Sequence, residues 1–143
     1  MSDKPKQTLD QQRAQHAYKV VESVFAPSKS EAEIEKFDTQ AKKLPTRIIA
    51  SGLGQGLAFL NAKQDAPALT QALDSWIIDE RKLVHAHAPK GAKPALLLHI
   101  IHGDADYLRR VTDESLAYLQ WLNRFVEAKV KQKENAKKGE NQS

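Results

Sequence analysis

Two groups of residues have the types and spacing to do chemistry. Gly52-Leu53-Gly54-Gln55-Gly56 has the glycine density of a phosphate loop. A dinucleotide site needs a strand before the glycines and a helix after them, and a Walker loop needs a lysine after the last one. Here Leu57 follows Gly56, and the segment lies inside a helical apolar pattern. The better account is packing. Gly52 and Gly56 are four apart on the apolar face, where a missing side chain lets a second helix approach. Gly54 falls on the opposite, polar face, where it could admit a backbone of protein or nucleic acid. The second group is His85-x-His87 with His99-x-x-His102. Four imidazoles can share a metal, but no carboxylate or cysteine joins them at ligand spacing. They read as loop and helix-surface histidines, so no metal site is assigned and their role stays open.

Nucleophilic catalysis finds little support. The 143 residues include no cysteine, which excludes thiolate nucleophiles, thiolate zinc sites and disulfides. No nucleophile elbow places a serine, and Ser51 and Ser115 fall on helical faces as packing or capping groups. Asp104 and Asp106 stand at a helix start, where carboxylates cap and oppose the helix dipole. The chain is expected not to be an enzyme and to need no cofactor.

Cations are the remaining chemistry. Lys42, Lys43 and Arg47 cluster around Pro45; Arg109, Arg110 and Arg124 lie on the outer face of the last predicted helix, followed by Lys129, Lys131 and Lys133. A net charge of +4 permits a polyanionic partner without requiring one. The pairs Arg110/Glu114 and Arg109/Asp113 are each four apart, the spacing of solvated surface ion pairs.

These residues are positioned by helices. The chain has 19 Ala and 15 Leu against 7 Val and 7 Ile, a helix-forming balance. The expected fold is all-α: a single compact bundle of five to six helices with a disordered basic C-terminal tail. Thr8/Gln11 and Ser30/Glu33 have capping-box spacing and start the first two helices. Pro45 predicts a kink or break, with a third helix over 46–63. Pro67 opens a fourth helix reaching about His85, and 86–94 is a loop rich in proline and glycine. The segment 95–101 is nearly all apolar and predicts a short buried helix. The last helix covers about 106–131. Residues 1–7 are expected to be flexible, 8–131 to form the helical domain, and 132–143 to be a disordered tail too polar to offset its ordering entropy. No apolar run approaches a membrane span, and no secretory h-region follows the first residues, so the expected compartment is the cytoplasm.

Two stretches carry a family resemblance. KKLPTRIIASGLGQGLAFLNAK (42–63) has Leu-Pro followed by a glycine-containing helix ending Leu-x-Phe-Leu. DYLRRVTDESLAYLQWLNRFVEA (106–128) has paired arginines, Thr-x-Glu and Leu-x-Trp-Leu-x-Arg-Phe. Both resemble the signature segments of the small subunit of the Cmr effector complex, the type III-B CRISPR system. The similarity covers most of 8–131 and is looser over 64–101. It implies a non-catalytic structural subunit of an RNA-guided antiviral complex. Its partners would be the other Cmr subunits, further copies of itself, guide RNA and target RNA. Contact with RNA would then go to phosphates, through Lys42, Lys43, Arg47, Arg109, Arg110 and Arg124. The alternative is a helical protein-interaction adaptor without direct RNA binding, its basic face merely solvated.

Overall fold

A computed structural model describes residues 6–142. Six α-helices and no strand occur among them: α1 (Leu9–Val24), α2 (Glu31–Ser51), α3 (Leu53–Lys63), α4 (Pro67–Asp74), α5 (Ala95–His102) and α6 (Ala105–Gln142). One core joins them, with Phe37, Leu44, Leu69, Leu73, Tyr118 and Leu122 among its most buried side chains. α1 runs parallel to α6 and α2 antiparallel to it, as shown by the pairs Arg13–Glu114, Glu22–Lys129, Ala41–Asn123 and Glu31–Lys133.

Helix starts follow local chemistry. The Thr8 hydroxyl accepts from the Gln11 amide (3.1 Å), and the Gln11 side chain accepts from the Thr8 amide (2.8 Å). Ser30 accepts from Glu33 N at 3.1 Å. Asp104 accepts from Tyr107 N at 2.8 Å and caps α6. α5 has no cap of its own; the Asp74 carboxylate at the end of α4 accepts from Leu96 N (2.9 Å) and Ala95 N (3.3 Å).

The expected break at Pro45 does not occur: α2 passes through it to Ser51. Proline lacks the N–H that would bind the carbonyl four residues back. That carbonyl belongs to Ala41, and the Asn123 side chain of α6 donates to it at 2.9 Å. The boundary lies instead at Gly52, whose φ of +90° suits glycine and few other residues. Gly52 is therefore a hinge between α2 and α3, with open space where a Cβ would stand, and not a packing contact. Gly56 does pack closely. A Cβ there would lie 3.2 Å from Leu44 Cδ1 and 3.4 Å from Ile48 Cγ1 of α2. Because α3 restarts at Leu53, Gly54 faces α5 instead of an open polar side; its Cβ would stand 3.6 Å from Ile100 Cγ2.

Three further elements differ from expectation. α4 gives way to a wide π-helical turn, Ser75–Glu80, and the chain leaves helix near Arg81, before His85. α5 forms where predicted, but only Ala95 and Leu96 are buried in it. α6 continues to Gln142, so the described part of 132–143 extends the last helix. Lys, Glu, Gln and Ala are good helix formers that propagate an existing helix, and Lys133 ties the overhang to Glu31 at 2.8 Å. The expected flexible segment 1–7 lies mostly outside the described residues.

Two stability predictions follow from this packing. Asn123→Ala should cost about 1–3 kcal/mol in urea melts, because it strands the Ala41 carbonyl. That loss should shrink in a Pro45→Ala background, where the backbone N–H returns. Gly56→Leu should overpack the α2–α3 contact by about 1–3 kcal/mol.

Candidate nucleic-acid interface

The structure first separates structural cations from available ones. Arg47 is half-buried; it donates to Gln40 Oε1 at 2.7 Å, and its guanidinium lies 3.9 Å over the Phe59 ring. It therefore clamps α2 to α3. Lys42 is exposed and pairs with Asp38 one turn back at 3.1 Å. Lys43 is exposed, with no ion-pair partner among the described residues. On α6, Arg109 pairs with Asp106 at 2.5 Å and Arg124 with Glu127 at 3.7 Å, all four exposed. Arg110 is exposed and makes no such pair among the described residues.

The Asn123–Ala41 bond sets the register of these groups. It brings Arg124 level with Lys42 and Lys43 across the α2–α6 seam. Arg109 and Arg110 sit farther back, about 21–22 Å along α6 at 1.5 Å per residue. The six candidates thus form two groups on one long helix and its neighbour, with Arg47 turned to structural use.

Neither expected α6 pair, Arg110/Glu114 or Arg109/Asp113, forms. Glu114 is 5% exposed. Its carboxylate accepts from Arg13 Nε (2.5 Å) and Nη2 (3.1 Å), Arg81 Nε (3.0 Å) and Trp76 Nε1 (3.2 Å). Burial pushes this carboxyl up, but the bonds from Arg13, Trp76 and Arg81 outweigh it and hold the group below its ordinary 4.5. The π-helical turn makes the arrangement possible by presenting Trp76 to Oε2 and Arg81, just beyond it, to Oε1 of the same carboxylate.

Beside it lies a second polar cluster. His16 Nδ1 is 2.7 Å from the Tyr118 hydroxyl, and Nε2 is 3.0 Å from Ser75 Oγ. Tyr118 is fully buried and its hydroxyl has no other partner among the described residues. It donates to Nδ1, leaving Nε2–H to donate to Ser75. Burial pushes the imidazole below its ordinary 6.5, Glu80 opposing and Lys19 adding to the shift. Arg13, His16, Trp76, Arg81 and Glu114 were not legible as a unit. Their partners are 33 to 102 residues apart, and no local spacing reports such a pairing.

The four histidines cluster loosely around Tyr107. The His85 ring lies 5.1 Å from His87 and 5.4 Å from Tyr107, and His85 Nε2 is 3.7 Å from Asp104. His99 Nδ1 binds the Ala95 carbonyl at 2.8 Å, its own helix's backbone. Among the described residues no three His, Cys, Asp or Glu groups are placed to hold a metal.

Charge along the chain carries a further signal. Residues 81–110 contain six Lys and Arg against two Asp, a balance of +4 that equals the whole formal net charge. Four of the five histidines lie there too. The rest of the chain is balanced.

Residues 9–129 match the family described as CRISPR-associated protein (Cas_Cmr5). The chain belongs to that family. Cmr5 proteins are the small subunits of the type III-B effector, a structural and not a known catalytic component that assembles with other Cmr subunits. The matched span contains both signature segments, the Pro45–Asn123 compensation and the Glu114 cluster. No helix among the described residues is long and apolar enough to cross a membrane.

Acid should unfold this member in two stages. His16 is depressed from 6.5, so its contribution is complete above 6.5 and is lost as pH falls through the lower folded value. Glu114 is depressed from 4.5, so its contribution is complete above 4.5 and is lost as pH falls through the lower folded value. Glu114→Gln should cost about 3 kcal/mol at pH 7 by leaving two arginines uncompensated. It should also flatten the lower stage in urea melts taken from pH 3 to 7.

Proposed function

We propose that this Cmr5 chain is a non-catalytic, cytoplasmic scaffold that stacks with copies of itself and holds guide and target RNA by their phosphates. The observation that carries the reading is the pairing of family membership with exposed cations on α2 and α6. Lys43 and Arg110 have no ion-pair partner among the described residues. Lys42, Arg109 and Arg124 pair only with exposed or nearby carboxylates, in contacts that water and salt weaken. The roughly 21–22 Å between the two groups suits several nucleotides of backbone at helical rise. Phosphate contact suits a guide-directed machine, since base pairing reads the sequence and protein holds the backbone. The closure of the two polar clusters supports the non-catalytic role: Glu114, His16, Ser75 and Trp76 are engaged with one another or with Arg13, Arg81 and Tyr118.

One observation favours the adaptor reading. The carboxylates of Asp38, Asp106 and Glu127 already answer three of the cations. Salt dependence separates the two. In the assembled complex, Lys42→Ala/Lys43→Ala and Arg109→Ala/Arg110→Ala should each weaken RNA binding for all sequences alike. For a single strand, each lost phosphate contact should lower the log–log salt slope by about 0.7. Wild-type affinity at every salt concentration in both variants would leave the adaptor.

A further inference from the structure

α5 is an apolar helix that the fold leaves half uncovered. Its sequence is Ala-Leu-Leu-Leu-His-Ile-Ile-His, yet Leu97, Leu98 and Ile100 are only partly buried and Ile101 is 61% exposed. α3, α4 and the π-helical turn pack against it. Val84, in the preceding loop, is 56% exposed, and Leu108, in the first turns of α6, is 38% exposed. Tyr107 ties these elements into one corner: its hydroxyl donates to the Leu83 carbonyl at 2.6 Å, and its ring meets those of His85 and His99. The corner falls within 81–110, the stretch holding all of the net positive charge. In its loop, Lys82 and Lys90 are exposed and have no ion-pair partner among the described residues.

We propose that this corner, built from α5, the loop 81–94 and the start of α6, docks another protein subunit of the Cmr complex through an apolar strip edged with carboxylates. An apolar centre with a charged rim is the composition of a protein interface. Branched aliphatic side chains offer phosphate nothing and give a base no flat ring to stack on, so the patch is poorly suited to RNA. Symmetric pairing of two copies would set the basic stretch against itself, which like charges disfavour. An acidic rim on a different subunit answers the charge. The proposal rests on family membership and goes beyond the RNA reading: that reading uses Lys42 and Lys43 on α2 and Arg109, Arg110 and Arg124 on α6, whereas the docking surface uses the apolar strip and the loop cations Lys82 and Lys90.

The test is incorporation into the complex on co-expression with the remaining Cmr subunits and guide RNA. Ile101→Glu and Lys82→Glu/Lys90→Glu should each lower the incorporated fraction at least tenfold, with helix content and melting temperature of the free chain unchanged. Ile49→Glu changes a 77% exposed apolar residue on α2 and serves as the control, which should incorporate normally. Normal incorporation of Ile101→Glu overturns the proposal. It is equally overturned if Ile101→Glu abolishes self-association of the free chain in sedimentation while incorporation persists, since the occupant is then a second copy. Weakened binding of a labelled RNA duplex to free Ile101→Glu, with incorporation intact, assigns the corner to RNA and also overturns it. Loss of RNA affinity in Lys42→Ala/Lys43→Ala bears on the phosphate reading alone.

Discussion

The bundle depends on one buried carboxylate. Glu114 accepts hydrogen bonds from Arg13 of α1, Trp76 of the π-helical turn and Arg81 just beyond it. A buried charge is tolerated only when paired and fully hydrogen-bonded. Satisfying it fixes two separate pieces of chain, α1 and the π-helical turn with the residue after it, against α6. The same turn gives Ser75 to His16, and its preceding residue, Asp74, caps α5. Two arginines in a chain of modest net charge are thereby committed to one carboxylate. The cations left outside are the ones available to partners.

The second constraint acts on α2. Proline inside a helix frees a carbonyl, and Asn123 binds it. The bond keeps α2 straight enough to run to Ser51 and fixes the register of α2 on α6. Lys42 and Lys43 are level with Arg124 for that reason. A structural compensation within the core thus determines which surface cations stand level with one another.

Local rules made much of this legible. The capping box at Thr8, the apolar stripes and the proline-rich loop before α5 rest on residues a few positions apart, and they appear where the sequence placed them; at Ser30 only the hydroxyl half of the expected box forms. The failures have a common cause in long-range pairing. Pro45 reads as a break because its remedy is 78 positions away. Glu114 reads as a surface partner of Arg110 because helical spacing says nothing about Arg13 or Arg81. Gly52 reads as a packing glycine because its positive φ emerges only once α2 is continuous through Pro45. That change of boundary also turns Gly54 towards Ile100. α5 reads as buried because apolar composition records the wish for cover, not who provides it. Of the six candidate cations, five are exposed, and Arg47 belongs to the core's edge.

Two surfaces are proposed to be separate: the exposed cations of α2 and α6 for RNA, and the basic, apolar corner around α5 for protein. Lysine acetylation footprinting tests that division directly, on the free chain, on the complex without target RNA, and on the complex with it. Lys82 and Lys90 should lose reactivity when the subunits assemble and change no further when target RNA is added. Lys42 and Lys43 should lose reactivity when RNA occupies the complex. Protection of Lys82 and Lys90 by target RNA, with Lys42 and Lys43 reactive throughout, would contradict the account.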